Sequence, residues 1–206
     1  MFPLYDESHQ RGKTPYLTIF LIIANVLIFF ISLSNLDGFV LNFGFYPDRF
    51  FRHKDYFTIF SSMFLHGDFW HLFGNMWFLW VFGDNLERKL GSFKFLIFYL
   101  LCGIGSAVVY SFATADPSMP VIGASGAISG VLAGYLAFFP HNKIKALVPL
   151  FIFITTISIP AVIYIGVWFL YQLIYIGSDP FIAYWGHVGG FLTGFILAKL
   201  YQSFKG

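Results

Sequence analysis

The sequence predicts an all-α, polytopic membrane protein with six membrane-spanning helices. Of its 206 residues, 58% are hydrophobic and 22% aromatic, and only 11% are charged, whereas a soluble domain carries about 25% charged residues. The mean hydropathy is +0.73. The charged residues fall in short clusters between apolar runs, and a run of about 20 residues is long enough to cross a bilayer.

Six apolar runs have a suitable length. We place the spans at residues 16–34, 69–86, 93–115, 122–139, 159–176 and 182–201. The first run is longer than the apolar core of a signal peptide and no small-residue cleavage site follows it, so we expect an uncleaved span. The whole chain, 1–206, is expected to form one membrane domain that begins with a short tail, residues 1–15.

One further apolar stretch, residues 146–158, lies between the fourth and fifth spans. Pro149 and Pro160 bracket it. It is a re-entrant segment, an interfacial segment or an early start to the fifth span, and the sequence leaves these three open.

The lysine and arginine residues predict the orientation of the chain. Nine of the 12 flank the spans on the side of the two termini, and three lie on the other side, all in the first loop. The nine are Arg11, Lys13, Arg88, Lys89, Lys94, Lys143, Lys145, Lys199 and Lys205, and the three are Arg49, Arg52 and Lys54. Both termini are therefore expected in the cytoplasm, and the second, fourth and sixth spans begin at the outer face.

The first loop, residues 35–68, is rich in phenylalanine and tyrosine. Aromatic side chains with scattered charges are typical of the headgroup interface. We expect this loop to lie partly in the outer leaflet.

Two residues of the kinds that act in catalysis lie near the starts of the fourth and sixth spans, at the same depth in the membrane. Ser125 lies in Gly123-Ala124-Ser125-Gly126, and His187 lies in Gly186-His187-Val188-Gly189-Gly190. A serine in a membrane helix often only hydrogen-bonds its own backbone, but an ionisable side chain within a span is costly and usually functional.

Glycine stripes on these two spans predict that they pack together. Gly126, Gly130 and Gly134 recur every four residues, and Gly190 and Gly194 share a helix face with His187. Small residues at this spacing let membrane helices approach until their backbones touch. Such packing would bring His187 to Ser125, as a general base beside a nucleophile. The tautomer of the imidazole remains open.

His71 and Asn75 lie one turn apart on the second span, again near the outer face. Both can donate hydrogen bonds to an oxyanion, where one preorganised donor lowers a barrier by about 3 kcal/mol. A polar contact between helices is the structural alternative. With Ser125 and His187 at the same level, an oxyanion site is the better explanation.

The acidic residues offer no obvious third member of a triad. Asp84 and Glu87 lie a membrane thickness away, and Asp68 and Asp179 lie in outer loops. We therefore predict a Ser125–His187 dyad whose histidine is oriented by packing. His66, His71 and His187 have no carboxylate or cysteine at a ligand spacing, so we expect no metal site. The single cysteine, Cys102, excludes an intrachain disulfide.

These motifs together resemble the rhomboid family of intramembrane serine proteases, from the first span to the sixth. The pieces that match, in order, are Phe64-Leu65-His66, His66-x4-His71-x3-Asn75, Gly83-x3-Glu87, Gly123-Ala124-Ser125-Gly126 and His187-x2-Gly190-x3-Gly194. The sequence departs from the family at Phe57-Thr58, where many members have Trp-Arg. It departs again at Ser129, where some have an aromatic residue packed on the catalytic histidine, a role that Tyr184 or Trp185 could take here.

The resemblance implies a six-helix rhomboid-like bundle and an endopeptidase. It would cut single-span membrane proteins near the outer face through Ser125 and His187, with His71, Asn75 and the Ser125 N–H at the oxyanion. His66 would support the first loop, and no cofactor would be needed. The expected partners are transmembrane substrates and the bilayer, and the lack of added domains suggests a bacterial plasma membrane.

Two alternative functions fit the sequence less well. A catalytically silent relative that binds membrane helices is the main alternative, although such relatives typically lack the serine or the histidine and this chain keeps both. A transporter or channel is disfavoured because the inner half of the bundle has few polar residues. The net charge of +2 and the absence of a basic stripe exclude nucleic acid as a partner.

Overall fold

The computed structural model describes residues 1–7, 14–150 and 153–204. In chain order the helices are α1 (Tyr16–Ser32), α2 (Leu36–Phe43), α3 (Pro47–Phe51), α4 (Thr58–Ser61), α5 (Phe69–Phe78), α6 (Asp84–Leu90), α7 (Ser92–Ala113), α8 (Ser125–Phe138), α9 (Ala161–Ile174) and α10 (Tyr184–Ser203). A π-helical segment, Leu79–Gly83, joins α5 to α6 without a break. Each predicted span therefore coincides with one helix or, for the second, with this continuous series.

One described helix is both long enough and apolar enough to cross a membrane. α7 has 22 residues and is apolar enough to cross a bilayer, whereas α1, α8 and α9 are apolar but shorter. The count of six spans stays a prediction.

α8 forms the centre of the bundle and is buried along nearly its whole length. Its glycines let α10 approach closely: a Cβ atom on Gly190 would overlap the carbonyl oxygen of Gly126, and one on Gly194 would overlap that of Gly130. Gly134, the third glycine of the stripe, instead faces Phe98 on α7 and Leu86 on α6. The contact between the α8 and α10 backbones sets the relative positions of their first turns.

The expectation of an all-α chain is wrong in one respect, because three strands form an antiparallel sheet in the order β1-β2-β3. The strands are β1 (Phe2–Asp6), β2 (Lys143–Leu150) and β3 (Phe153–Pro160). Residues 146–150 and 153–158 of the apolar stretch thus lie in β2 and β3, an antiparallel pair that none of the three sequence alternatives described. Part of the tail expected at residues 1–15 forms β1, which pairs with β2 and completes the three-stranded sheet.

Period-two alternation explains why β2 is a strand. Ile144 and Ala146 are fully buried and alternate with Lys143 and Lys145, as expected of a strand with one face on a core. β3 adds the β-branched residues Thr155, Thr156, Ile157 and Ile159. Mean hydropathy over a window discards this alternation, so a short apolar run reads the same as a helix or a strand.

The N-terminal strand is fixed to the end of the bundle that the charges place in the cytoplasm. The carboxylate of Asp6 accepts hydrogen bonds from Asn85 Nδ2 at 2.9 Å and from the Tyr135 hydroxyl. Trp77 Nε1 donates to the carbonyl oxygen of Pro3 at 2.6 Å. Of the nine positive residues assigned to this side, Arg11, Lys13 and Lys205 lie outside the described residues.

The opposite end of the bundle is covered by the first loop, which folds into α2, α3 and α4. It is joined to residues 114–124 by an antiparallel bridge between Phe45 and Val121. The Gly123 N–H also donates to the Ser62 carbonyl oxygen at 2.9 Å. The loop thereby holds the segment that leads into Ser125, and its location in the outer leaflet stays a prediction.

Candidate active site

Ser125 is the first residue of α8 and follows by two positions a glycine with a positive φ. Gly123 has a φ of +112°, and a Cβ atom there would lie 2.5 Å from His71 Nε2. Glycine is required for both reasons, since other residues avoid positive φ and have a side chain that would strike the imidazole. The backbone entering α8 consequently lies against His71.

His187 lies in the first turn of α10 and contacts Ser125 directly. Its Nε2 atom is 2.9 Å from Ser125 Oγ, within hydrogen-bond distance. The glycine contacts between α8 and α10 place these two helices close enough for the short serine side chain to reach the imidazole. The contact expected from the glycine stripes is therefore present in the structure.

The other imidazole nitrogen meets a residue that the sequence analysis missed. His187 Nδ1 lies 2.7 Å from Oε1 of Gln172 on α9, and Gln172 is 5% exposed. From the sequence, this histidine is expected to be oriented by packing and not by a carboxylate. The available signal was that Gln172 is the only Asn or Gln side chain in the apolar run 159–176.

Aromatic rings flank the imidazole on two sides. The centroids of the Trp168 and Tyr184 rings lie 6.2 and 6.4 Å from that of His187. Tyr184 was one of the two rings named from sequence; the other, Trp185, makes no ring contact with His187 among the described residues. Ser129 donates its hydroxyl to the Ser125 carbonyl oxygen at 2.7 Å.

α5 brings His71 and Asn75 towards the same segment. The Asp68 carboxylate caps this helix by accepting a hydrogen bond from the His71 N–H at 2.9 Å. A Cβ atom on Gly123 would lie 3.6 Å from Asn75 Nδ2, so both α5 side chains face the backbone before Ser125. Asn75 Nδ2 is buried and has no hydrogen-bond partner among the described residues, which leaves a donor available for an oxyanion.

His66 packs behind His71. It is fully buried, and the two rings meet edge to face with centroids 4.9 Å apart. Burial, with a contribution from neighbouring His71, lowers the pKa of His66 to about 3. His66 is therefore neutral near pH 7 and supports the position of His71.

Carboxylates do not complete the site. Within the described ranges, the ring nitrogens of His187 meet Ser125 and Gln172 and no aspartate or glutamate. Glu87 lies at the other end of the bundle, where it binds the start of α1. Residues 1–7, 14–150 and 153–204 also contain no group of three His, Cys, Asp or Glu side chains placed to hold a metal ion.

Two cavities meet at Ser125 and His187. The larger, about 700 Å³, lies between α5 and the loops before α8 and α10, and its walls include Trp70, Tyr110 and Phe181. The smaller, about 30 Å³, extends towards Met63 and Ser106. The larger could admit an extended peptide, and the smaller has room for a water molecule or a small side chain.

The fold and site define a class: polytopic helical membrane proteins with a serine and a histidine in contact at the starts of two helices. The chain belongs to the rhomboid family, because the Rhomboid domain matches residues 53–204. Members of this family are integral membrane proteins, typically intramembrane serine proteases, although some are inactive.

Individual relatives come from mitochondria, plants and bacteria. The chain is 39% identical over 102 residues to Rhomboid protein 1, mitochondrial, of Saccharomyces cerevisiae, which covers 44% of the chain and 29% of that protein. It is 32% identical over 143 residues to RHOMBOID-like protein 5 of Arabidopsis thaliana, and this match covers 66% of the chain and 41% of that protein. It is 28% identical over 194 residues to Rhomboid protease GluP of Bacillus subtilis, and this match covers 92% of the chain and 35% of that protein. The matches thus span less than half the length of each relative.

Proposed function

We propose that this protein is an intramembrane serine endopeptidase that cleaves the transmembrane segments of single-span membrane proteins. The observation that carries the proposal is the 2.9 Å separation between Ser125 Oγ and His187 Nε2. A serine hydroxyl is a weak nucleophile until a neighbouring base removes its proton, and a neutral imidazole is a suitable base near pH 7.

The reaction would proceed in two halves. Ser125 Oγ attacks the scissile carbonyl carbon while His187 Nε2 takes the hydroxyl proton, and the tetrahedral intermediate forms. His187 returns that proton to the leaving amine as the C–N bond breaks, which leaves an acyl ester on Ser125. A water molecule, deprotonated by His187, then hydrolyses the ester and restores the serine.

The negative oxygen of the tetrahedral intermediate needs hydrogen-bond donors. We assign this role to His71, Asn75 and the Ser125 backbone N–H. The buried Nδ2 of Asn75 supports the assignment, since it has no hydrogen-bond partner among the described residues. The Ser125 N–H belongs to the first turn of α8, where backbone N–H groups lack helical acceptors.

The substrate is proposed to be a membrane helix that unwinds locally. A helix within lipid has its carbonyl groups bonded internally, so the scissile bond becomes accessible only where the helix is weak. The 30 Å³ cavity beside Ser125 favours small residues next to the scissile bond. We place the protein in a bacterial plasma membrane with both termini in the cytoplasm, so that cleavage occurs near the outer face.

The test combines a substrate assay with a chemical probe. The chain is co-expressed with tagged single-span proteins, and cleavage is compared among wild type, Ser125→Ala and His187→Ala. Ser111→Ala is the matched control, because Ser111 is a buried serine on α7 that bonds the Ala107 carbonyl. We expect cleavage in wild type and Ser111→Ala, and none in the two site variants.

Labelling by a fluorophosphonate probe gives an independent measurement. We expect wild type and Ser111→Ala to be labelled and Ser125→Ala not to be. Folded wild-type protein that neither reacts with the probe nor cleaves any substrate would overturn the proposal in favour of a silent binder of membrane helices.

A further inference from the structure

The side chain of Gln172 joins α9 to the imidazole of His187 at the face opposite Ser125. Its Oε1 atom lies 2.7 Å from His187 Nδ1, and its Nε2 atom lies 3.3 Å from the carbonyl oxygen of Trp168, one turn earlier on α9. Both ends of the amide are therefore engaged, although Gln172 lies in an apolar helix where a polar side chain is costly.

The Trp168 carbonyl determines which way the amide points. A carbonyl oxygen only accepts hydrogen bonds, so the end of the amide that faces it must be the NH₂ group. The oxygen end is then directed at His187, and the two ends cannot be exchanged without placing two acceptors against each other. The backbone of α9 thus fixes an acceptor beside Nδ1.

The fixed acceptor in turn determines the tautomer of His187. A neutral imidazole has one N–H and one lone pair, and the nitrogen that faces an acceptor must hold the proton. Nδ1 consequently holds the hydrogen, and the lone pair of Nε2 faces Ser125 Oγ. This is the form that can remove the serine proton.

Aromatic packing keeps α9 at this distance from α10. The rings of Phe169 and Phe191 stack with centroids 4.1 Å apart, and the Trp168 ring stacks on Phe191 at 6.3 Å. Phe191 follows His187 by one turn of α10, and Gln172 follows Trp168 by one turn of α9. The aromatic contacts and the amide contact therefore lie on the same pair of helix faces.

We propose that Gln172 is a positioning residue that holds His187 in the Nδ1–H tautomer and stabilises the imidazolium formed when Ser125 is deprotonated. The proposal rests on the proposed function for its effect on catalysis, but the tautomer itself is independent of any activity. A neutral amide oxygen serves here in the place that a carboxylate takes in a Ser-His-Asp triad.

Two variants separate this role from a structural one. Gln172→Met keeps approximately the volume and removes the acceptor, whereas Gln172→Glu keeps an oxygen acceptor at the same distance along the side chain. Gln202→Met is the matched control, since Gln202 lies on α10 and donates to the Ala137 carbonyl oxygen far from the site.

The first readout is the ring ¹⁵N spectrum of histidine-labelled full-length protein in detergent micelles. The His187 signals are assigned by their loss in His187→Gln. We expect a protonated-type Nδ1 and an unprotonated-type Nε2 at neutral pH in wild type, Gln172→Glu and Gln202→Met. In Gln172→Met we expect averaged shifts from a mixture of tautomers. A wild-type spectrum with the proton on Nε2, or one unchanged in Gln172→Met, would overturn the proposal whether or not the chain cleaves anything.

The second readout is kinetic. For Gln172→Met we expect kcat to fall about 10- to 100-fold, the loss for one hydrogen bond to a charged group, with KM changed less than twofold. Gln172→Glu should recover most of kcat, and Gln202→Met should match wild type. Equal losses in both Gln172 variants, or a loss confined to KM, would contradict a positioning role. Absence of cleavage in wild type would count against the proposed function and leave the tautomer result standing.

Discussion

The carboxylate of Glu87 on α6 caps the start of α1 through Thr18. Glu87 Oε2 accepts hydrogen bonds from the Thr18 N–H and from the Thr18 hydroxyl, both at 2.7 Å, and Oε1 accepts one from the Leu17 N–H at 3.0 Å. No side chain at Pro15, the N-cap residue, provides this bond. A carboxylate from 69 residues away thus satisfies N–H groups that every helix start leaves free, and its charge complements the helix dipole.

Removal of this carboxylate should destabilise the bundle. In Glu87→Ala we expect the free energy of unfolding to fall by about 2–4 kcal/mol, because buried donors on α1 lose a charged acceptor. Reversible unfolding in detergent measures it. Asp37→Ala is the control, since Asp37 is an exposed acidic residue in the first turn of α2. Equal stability of Glu87→Ala and wild type would contradict the capping role.

The contact between α8 and α10 should not tolerate a methyl group. Gly194→Ala places a Cβ atom against the Gly130 carbonyl oxygen, and we expect a loss of about 1–3 kcal/mol in unfolding free energy. Gly166→Ala on α9 is the matched control, because a Cβ atom there meets nothing within 4 Å. Reversible unfolding in detergent measures the stability of both variants. Similar values for Gly194→Ala and Gly166→Ala would show that the two helices can move apart without a loss of stability.

The donor on Asn75 should act on the chemical step. For Asn75→Ala we expect kcat to fall about 100-fold while KM changes little, because an oxyanion forms only in the transition state. Steady-state cleavage of a single-span substrate measures both constants. Asn42→Ala removes an exposed amide of α2 and should leave them unchanged. A rise in KM with constant kcat would indicate that Asn75 binds substrate instead.

His66 should make stability depend on pH. Its pKa is about 3 in the folded protein and about 6.5 when exposed, so between these values the unfolded chain binds the additional proton. The His66 contribution to stability is therefore complete above pH 6.5 and is lost progressively as the pH falls towards 3. Apparent unfolding temperatures measured from pH 7 to 4.5 should fall less steeply in His66→Leu than in wild type.

Exposed His53 provides the comparison for that measurement. His53→Leu should retain the wild-type slope, because it removes an exposed side chain and leaves the buried core unchanged. Parallel curves for wild type and His66→Leu would exclude burial of a neutral His66 as a source of acid sensitivity.

Features that repeat along one helix could be predicted from the sequence. His71 and Asn75 share a face of α5, and Gly190 and Gly194 share a face with His187, because residues three or four positions apart on a helix are always neighbours. The length of the apolar runs between the charged clusters placed each predicted span on its helix or, for the second span, on a continuous helical series. The alternation in β2 was equally local, but an average over hydropathy concealed it.

Only the tertiary structure decided which faces meet and what lies behind them. Gln172 and His187 are 15 residues apart on different helices, Glu87 and Thr18 are 69 apart, and Asp6 and Tyr135 are 129 apart. The sequence supplied these polar side chains, each of which needs a partner once the fold buries it, because an unpaired polar group in an apolar interior costs several kcal/mol. It did not determine the partner, since that depends on how close-packed helices and strands from distant parts of the chain come into register.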